Sequence, residues 1–213
     1  MSKYPVTWTL ALSCLVGLVL VLITSCSNLI PIATESITSS LPSIPSISTP
    51  VVTTTIQSNQ LQTYFPRSGD SPDKVLASLY GSSIQTLDIA IYSLTYPSIV
   101  KAIGDAHKRG VKVRVISDKT QAAGKSQTVA IDDLLTIGIP VKVNTHSGLM
   151  HLKISIIDSR IATTGSYNYS AGATKDNDEV LVVISELGFV LRCSSEFEKL
   201  WYGSGFKDAQ LSY

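Results

Sequence analysis

Apolar positions in residues 61–213 recur at two spacings, one typical of strands and one typical of helices. Every second residue of 87–91 is apolar, which predicts a strand with one face in a core. Ile99, Ile103 and Ala106 recur at helical spacing, and the helix that they predict begins at Pro97. The two spacings therefore predict a domain in which strands and helices alternate.

The same patterns extend over the rest of residues 61–213. The predicted strands are 61–65, 87–92, 111–116, 140–143, 149–157, 160–165 and 180–184. The predicted helices are 72–80, 97–109, 129–137 and 187–201, the first of them with Ser71 at its N-cap. This order predicts an α/β fold in one domain, with a mixed, largely parallel sheet flanked by helices on both faces.

The N-terminal segment has another pattern. Leu10–Ile23 is an apolar run of 14 residues, preceded by the single charge Lys3 and followed by Thr24-Ser25-Cys26. A short basic start, an apolar stretch and small residues before a cut are typical of a secretory signal peptide, predicted here over residues 1–26. The predicted destination is outside the cytoplasm.

Ile23-Thr24-Ser25-Cys26 resembles the lipobox of bacterial lipoproteins. The resemblance implies that Cys26 is lipid-modified and becomes the first residue, and that several acyl chains anchor the protein to a membrane on its periplasmic or cell-surface side. The alternative is an uncleaved membrane helix, because Trp8–Cys26 is nearly long enough to span a bilayer.

Residues 27–60 are predicted to be a disordered linker. Ser, Thr and Pro make up 18 of these 34 residues, and Glu35 is their only charge. Such a composition cannot bury enough apolar surface to fold. The predicted organisation is thus a signal peptide at 1–26, a linker at 27–60 and a folded domain at 61–213.

Composition excludes several classes of protein. Hydrophobic residues make up 44% of the chain and charged residues 15%, which excludes a disordered polyelectrolyte. Lys and Arg number 17 against 16 Asp and Glu, so any nucleic acid or anionic membrane must be held locally. The three cysteines lie in three different settings, which excludes a disulfide framework and a cysteine-based zinc site. Cys193 is predicted to be a small buried hydrophobe, with an intersubunit disulfide as the alternative.

Candidate chemistry is concentrated between residues 151 and 179. On a strand, His151 and Lys153 share a face, so a nucleophile and a positive charge lie side by side. Ser166 and Asn168 repeat this spacing on the next segment, and Gly165 lets the backbone approach closely. Imidazole, ammonium, hydroxyl and carboxamide groups at one point suit a phosphate oxyanion, which predicts a phosphodiester substrate.

The motif His-x-Lys-x4-Asp-x6-Gly-Ser-x-Asn resembles the signature of the phospholipase D superfamily. The resemblance covers residues 61–213 and includes Ala90-Ile91-Tyr92-Ser93-Leu94-Thr95. With one copy of the motif, the chain is most similar to small bacterial EDTA-resistant endonucleases and mitochondrial cardiolipin hydrolases. The resemblance implies a phospholipase D-like fold and the activity of a metal-independent hydrolase of phosphodiester bonds.

The resemblance also implies roles for single residues. His151 would attack phosphorus and form a covalent phosphohistidine, and Glu179 would hold the far nitrogen of its ring. Lys153 and Asn168 would bind phosphate oxygens, with Ser166 in a supporting hydrogen bond. The motif also implies that Asp158 belongs to the catalytic residues, together with His151, Lys153 and Glu179. Because Asp158 has the opposite strand parity to His151, we expect it to hold a turn or the motif lysine rather than to touch phosphate.

A second histidine must protonate the leaving oxygen in this chemistry, and one motif copy supplies a single histidine. We therefore predict a homodimer with a shared active site, in which His151 of each subunit meets at the two-fold axis. No cofactor and no metal is predicted. A metal site at His146 and His151 is a weaker hypothesis, because no third ligand is placed by spacing.

Three classes of function remain open. The first is a phosphodiesterase that acts on nucleic acid or, as an alternative, a phospholipase specific for phospholipid. A nuclease would need cations around its groove, and a phospholipase an exposed apolar rim. The second is a catalytically silent surface lipoprotein that binds a phosphate group. The third, a tethered structural protein, leaves the converging motif unexplained.

Overall fold

The computed structural model describes residues 60–212, and its regular elements are one eight-stranded sheet with helices on both faces. The strands are β1 (Leu61–Tyr64), β2 (Thr86–Ile91), β3 (Lys112–Ser117), β4 (Val141–Asn144), β5 (Lys153–Ile157), β6 (Ile161–Gly165), β7 (Leu181–Ile184) and β8 (Phe206–Asp208). The α-helices are α1 (Pro72–Ser82), α2 (Pro97–Lys108), α3 (Lys119–Ala122), α4 (Lys125–Thr136), α5 (Ala171–Lys175) and α6 (Leu187–Tyr202), and a short 3₁₀ helix covers Pro66–Ser68.

The sheet has two halves that differ in the direction of their strands. Its order is β1-β7-β6-β5-β2-β3-β4-β8. Strands β2, β3 and β4 are parallel neighbours, because α2 and then α3 and α4 return the chain to the same edge of the sheet. The pairs β1/β7, β7/β6, β6/β5, β5/β2 and β4/β8 are antiparallel.

The predicted mixed sheet flanked by helices is confirmed, but its largely parallel character is wrong. Two of the seven strand pairs are parallel. β1 pairs with β7 at an edge of the sheet, in the antiparallel direction. Residues 158–160, the short connection between β5 and β6, allow only antiparallel neighbours, since a parallel crossover needs a dozen or more residues.

Two apolar cores lie on the two faces of the sheet. Alternate residues of the strands face α1, α2, α4 and α5 on one side, where Leu76, Ile103 and Leu134 are buried. On the other side α6 packs through Val190, Cys193, Phe197 and Trp201. Cys193 thus has the predicted place of a small buried hydrophobe, and burial raises the pKa of its thiol.

Several elements differ locally from their predictions. The strand predicted over 149–157 begins at Lys153, so His151 precedes the strand. Ser71 occupies the N-cap of α1, but its side chain makes no capping hydrogen bond. The short elements α3, α5 and β8 were not predicted, because three to five residues are too few to show a period.

The predicted signal peptide, the lipidated Cys26 and the linker lie outside the described residues, apart from residue 60. Within residues 60–212, no helix combines the length and the apolar character needed to cross a bilayer.

Candidate active site

His151 and Lys153 meet at the edge of the sheet where β2 and β3 end and β5 begins. Lys153 is the first residue of β5 and pairs with Ile91, the last residue of β2. Its side chain is buried, whereas the His151 ring is exposed. The Lys153 Nζ lies 3.2 Å from both ring nitrogens of His151 and donates to the His151 carbonyl oxygen at 3.0 Å. The predicted placement of the His151 imidazole beside the Lys153 ammonium is present in the structure.

Tyr92 is a part of this site that sequence reasoning missed. Its ring lies against the His151 ring, with centroids 4.5 Å apart and planes tilted by 60°. The Lys153 Nζ lies 5.1 Å from the centroid of the same ring, and Gln121 Nε2 donates to the tyrosine hydroxyl at 3.0 Å. Tyr92 follows directly after a buried strand, and that position at the carboxyl end of a parallel strand was the available signal.

Ser166, Asn168 and Glu179 lie at the same edge, between β6 and β7. The Ser166 hydroxyl donates to one carboxylate oxygen of Glu179, and Asn177 Nδ2 donates to the other at 3.2 Å. The Val180 N–H donates to the Ser166 hydroxyl at 3.2 Å. The Oδ1 atom of Asn168 is buried and has no hydrogen-bond partner among the described residues.

Within one chain, Glu179 does not make the hydrogen bond to His151 that the resemblance implied. Its two oxygens instead accept hydrogen bonds from Ser166 and Asn177, one donor each. Asn177 was also missed by sequence reasoning, although it stands two residues before Glu179, the strand spacing that puts two side chains on one face.

Gly165 has the conformation that brings β6 and β7 together beside the site. Its φ is +127°, in the region that favours glycine, and a Cβ there would lie 2.1 Å from the Val180 carbonyl oxygen. The same carbonyl accepts the Ser166 N–H at 3.1 Å. A glycine at 165 therefore fixes the place of Ser166 opposite Glu179.

Asp158 lies at the opposite end of β5, away from the other residues of the motif. Its carboxylate accepts the backbone N–H groups of Ile84 at 3.0 Å, Gln85 at 2.7 Å and Thr86 at 2.9 Å. Burial raises its pKa, but these three donors and the charge of Arg160 outweigh it, and the net pKa lies below the usual value. Asp158 therefore holds the loop before β2, in agreement with the turn-holding role expected from its strand parity, and its position does not support a place among the catalytic residues.

The electrostatics of the site centre on the buried ammonium of Lys153. Burial lowers its pKa below the usual value, because the charged form loses its hydration, and the negative charge of Glu179 opposes part of this effect. The positive charge and the exposed imidazole lie side by side at this sheet edge, and Asn168 follows β6 at the same edge. Such a set can receive an anionic oxygen beside a nucleophilic nitrogen.

No group of three His, Cys, Asp or Glu side chains that could hold a metal ion is present among residues 60–212. The His146 ring packs against Phe206, with centroids 5.8 Å apart. In the described part of the chain, His146 and His151 have no third side chain that would complete a metal site.

Comparison with known protein families agrees with this geometry. The profile of the family described as "Cardiolipin synthase, PLD-like domain" matches residues 76–201, which contain the motif and most of the sheet. The chain belongs to the phospholipase D-like family. The resemblance noted in the motif is thereby confirmed, and the phospholipase D-like domain is the region that carries His151, Lys153, Ser166, Asn168 and Glu179.

Relatives of the phospholipase D-like domain include two proteins named mitochondrial cardiolipin hydrolase. The one from Chlamydomonas reinhardtii is 36% identical over 121 residues, which cover 57% of this chain and 53% of the relative. The one from Xenopus tropicalis is 35% identical over 118 residues, covering 55% of each chain. The chain thus spans about half the length of these relatives.

Solved structures with the same fold include Nuc from Salmonella typhimurium, described as a phospholipase D family member. It superposes with a TM-score of 0.66 at 26% identity, over 70% of this chain and 97% of Nuc. NucT from Helicobacter pylori gives a TM-score of 0.58 at 27% identity, over 66% of this chain and 94% of NucT. The described domain therefore corresponds to nearly the whole of both proteins.

Proposed function

We propose that the chain is a metal-independent phosphodiesterase in which His151 is the nucleophile. A ring nitrogen of His151 attacks phosphorus, a P–N bond forms, and the P–O bond to the leaving group breaks. Water then attacks the same phosphorus, the P–N bond breaks, and the free histidine returns. A covalent intermediate divides one difficult substitution into two easier ones.

One observation carries this proposal: an exposed imidazole lies 3.2 Å from a buried ammonium at an open sheet edge. A buried positive charge is costly without a counter-charge, and a phosphodiester supplies a negative one. Lys153 would neutralise the oxygens on which charge grows in the transition state. The Asn168 side-chain amide would donate to the same group, and Ser166, which donates to Glu179, would support the site from the same sheet edge.

The leaving oxygen needs a proton donor, and we propose that a second copy of the chain provides it. Lys153 and Tyr92 are the groups that contact the His151 ring within the described domain. The proposal is a homodimer in which the His151 rings of both subunits face one phosphate, one as nucleophile and one as general acid and base. Glu179 would then orient a ring across the dimer axis.

Mixed dimers test the shared site. Wild-type and His151→Ala subunits, co-refolded at increasing ratios of mutant, should lose activity faster than the wild-type fraction falls, because each heterodimer lacks one histidine. Activity that stays proportional to the wild-type fraction refutes a shared site, as does a monomer in sedimentation analysis of the active protein.

The proposed substrates are a nucleic acid backbone and, as the second candidate, a phospholipid. For nucleic acid, Lys119 lies at the site edge and donates to the His146 carbonyl oxygen at 2.6 Å. For phospholipid, Leu149 stands two residues before His151 and is 55% exposed, and relatives are named cardiolipin hydrolases. An exposed apolar side chain beside a phosphate site suits the surface of a bilayer.

The activity is tested with the full chain in EDTA, on single- and double-stranded DNA, cardiolipin vesicles and phosphatidylcholine vesicles. His146 is an exposed histidine five residues before His151, so His146→Ala is a matched control for His151→Ala. We expect turnover of at least one substrate by the wild type and by His146→Ala, and a loss of about 10⁴-fold or more in His151→Ala. Binding without turnover would instead support a silent phosphate-binding protein.

The intermediate has its own test. Reaction mixtures denatured in detergent at neutral to alkaline pH, where the P–N bond survives, should show by mass spectrometry a phosphoryl group on His151 that is still esterified to the retained part of the substrate. A phosphoryl adduct on any other residue would refute the proposal that His151 is the nucleophile.

We also propose that the domain is held at a membrane outside the cytoplasm by lipid on Cys26. The lipobox-like segment supports this. Cys26→Ser should release the protein from the membrane fraction and remove the acyl mass, and an unchanged membrane-bound form would refute it.

A further inference from the structure

The structure contains a buried carboxylate, outside the motif, that accepts a hydrogen bond from residues 149–152, here called the His151 loop. We propose that Asp118 is a positioning residue for His151, which it holds through the backbone before the histidine and through the ring of Tyr92. The inference rests on the proposed function of His151 and adds the residue that keeps its ring in place.

Asp118 follows β3 directly and is fully buried. One carboxylate oxygen accepts the N–H groups of Thr120 at 2.9 Å and Gln121 at 3.1 Å, which caps α3. The other oxygen accepts the N–H of Met150 at 2.9 Å. A helix cap explains the first two bonds, but the third joins β3 to a segment that is 32 residues away in sequence.

The Met150 bond fixes the backbone next to the nucleophile. Residues 149–152 have no regular structure, so their path depends on individual contacts rather than on a strand ladder. Met150 is buried against α6, and its N–H has the Asp118 carboxylate as acceptor. Hydrogen bonds to a charged acceptor are roughly twice as strong as neutral ones, and this one ends one residue before His151.

A second connection reaches the ring itself. Capping α3 places Gln121, whose Nε2 donates to the Tyr92 hydroxyl at 3.0 Å. The Tyr92 ring in turn packs on the His151 ring at 4.5 Å between centroids. Asp118 therefore restrains the backbone of the nucleophile on one side and its aromatic neighbour on the other.

Glu186 shows what an ordinary cap in this fold does. Its exposed carboxylate accepts the N–H groups of Gly188 at 2.7 Å and Phe189 at 2.6 Å, both in its own helix α6. It makes no bond to a distant segment among the described residues. Glu186→Ala is therefore a matched control that removes a cap without touching the His151 loop.

The experiment compares Asp118→Asn with Glu186→Ala in the full chain. Asparagine keeps the shape of the side chain but replaces one acceptor oxygen by an amide donor, which opposes either the α3 N–H groups or the Met150 N–H. We expect kcat to fall about 10- to 100-fold with KM changed less than about twofold, because a small misplacement of a reacting group has this effect. Glu186→Ala should keep the wild-type kcat, and its melting temperature should be comparable to that of Asp118→Asn.

A second readout does not depend on turnover. In the wild type, ring protons of His151 and Tyr92 are close enough for a nuclear Overhauser effect, which should be strongly reduced in Asp118→Asn and retained in Glu186→Ala. An intact effect with a wild-type kcat in Asp118→Asn overturns the positioning role. A wild type without turnover, but with the effect lost in Asp118→Asn, refutes the proposed function and supports the positioning role.

Where Asp118→Asn does not fold, Gln121→Leu tests the ring connection alone. It should weaken the effect between His151 and Tyr92 and lower kcat several-fold. Unchanged values of both would overturn the connection through α3.

Discussion

The two ends of strand β5 carry charged side chains of the same motif in opposite circumstances. At its start, the Lys153 ammonium is buried beside an exposed histidine and makes no salt bridge with any described residue. At its far end, the Asp158 carboxylate is bonded to three backbone N–H groups. The pKa of Lys153 is shifted against its charged form, and that of Asp158 is shifted in favour of its charged form.

The difference separates a functional charge from a structural one. A charged group whose hydrogen-bond partners all belong to the folded chain stabilises the fold and has few free positions at which to bind a ligand. A buried charge without a counter-charge lowers stability and gains when an anion arrives. Three substitutions or conditions can break or sharpen this comparison.

The largest expected effect is on activity, at the Lys153 end. Lys153→Met should lower kcat/KM by about 10²- to 10³-fold, because a preorganised charge on the developing oxyanion is lost. Its free energy of unfolding should stay equal or rise, since a buried ammonium is replaced by an apolar chain of similar length. Steady-state kinetics and urea unfolding measure both.

Lys112→Met is the control for this prediction, because Lys112 is exposed at the other end of the parallel strands. It should leave both quantities unchanged. A Lys153→Met protein with more than about a tenth of the wild-type activity would contradict an oxyanion role.

The next effect is on stability, at the Asp158 end. Asp158 has a φ of +52°, which asparagine tolerates, so Asp158→Asn removes the charge without adding backbone strain. We expect a loss of about 1–2 kcal/mol in the free energy of unfolding, because the bonds to three N–H groups lose their ionic acceptor. Activity per folded molecule should be retained, and a large fall in kcat at full folding would argue against the separation.

The smallest effect is the pH dependence of that stability difference. The pKa of Asp158 is lower in the folded chain than the value of about 3.9 expected when unfolded. Its contribution is therefore complete above the unfolded pKa and is lost as pH falls through the folded one. Urea unfolding of wild type and Asp158→Asn should differ by a constant amount from about pH 5 to pH 7 and converge below about pH 4. A stability difference that grows as the pH falls would contradict a lowered pKa of Asp158 in the folded chain.

Much of the fold was predictable because each element carries its own signal. Proline at the first position of α1 and α2 and the alternation in β2 are local features of the chain. The partner of β1 was not predictable, because the strand pairs with β7 across nearly the whole domain. Local patterns predict which residues form a strand, but they do not predict which other strand it pairs with.

The candidate site was predictable in part for the same reason. His151 and Lys153, and Ser166 and Asn168, are pairs two residues apart, and such spacing is visible in the sequence. Tyr92 and Asp118 reach His151 from β2 and β3, and no spacing within one segment connects them to it. Their roles depend on strand order, which only the folded chain displays.

The sequence by itself determined the family, the identity of the candidate nucleophile and the residues that accompany it within one segment, because these follow from residue type and short-range spacing. Tertiary structure alone decided that Tyr92 and Asp118 support the site and which backbone groups Asp158 holds. The physical reason is that hydrogen bonds and ring contacts act over a few ångströms in space, and the sheet brings together segments that are far apart along the chain.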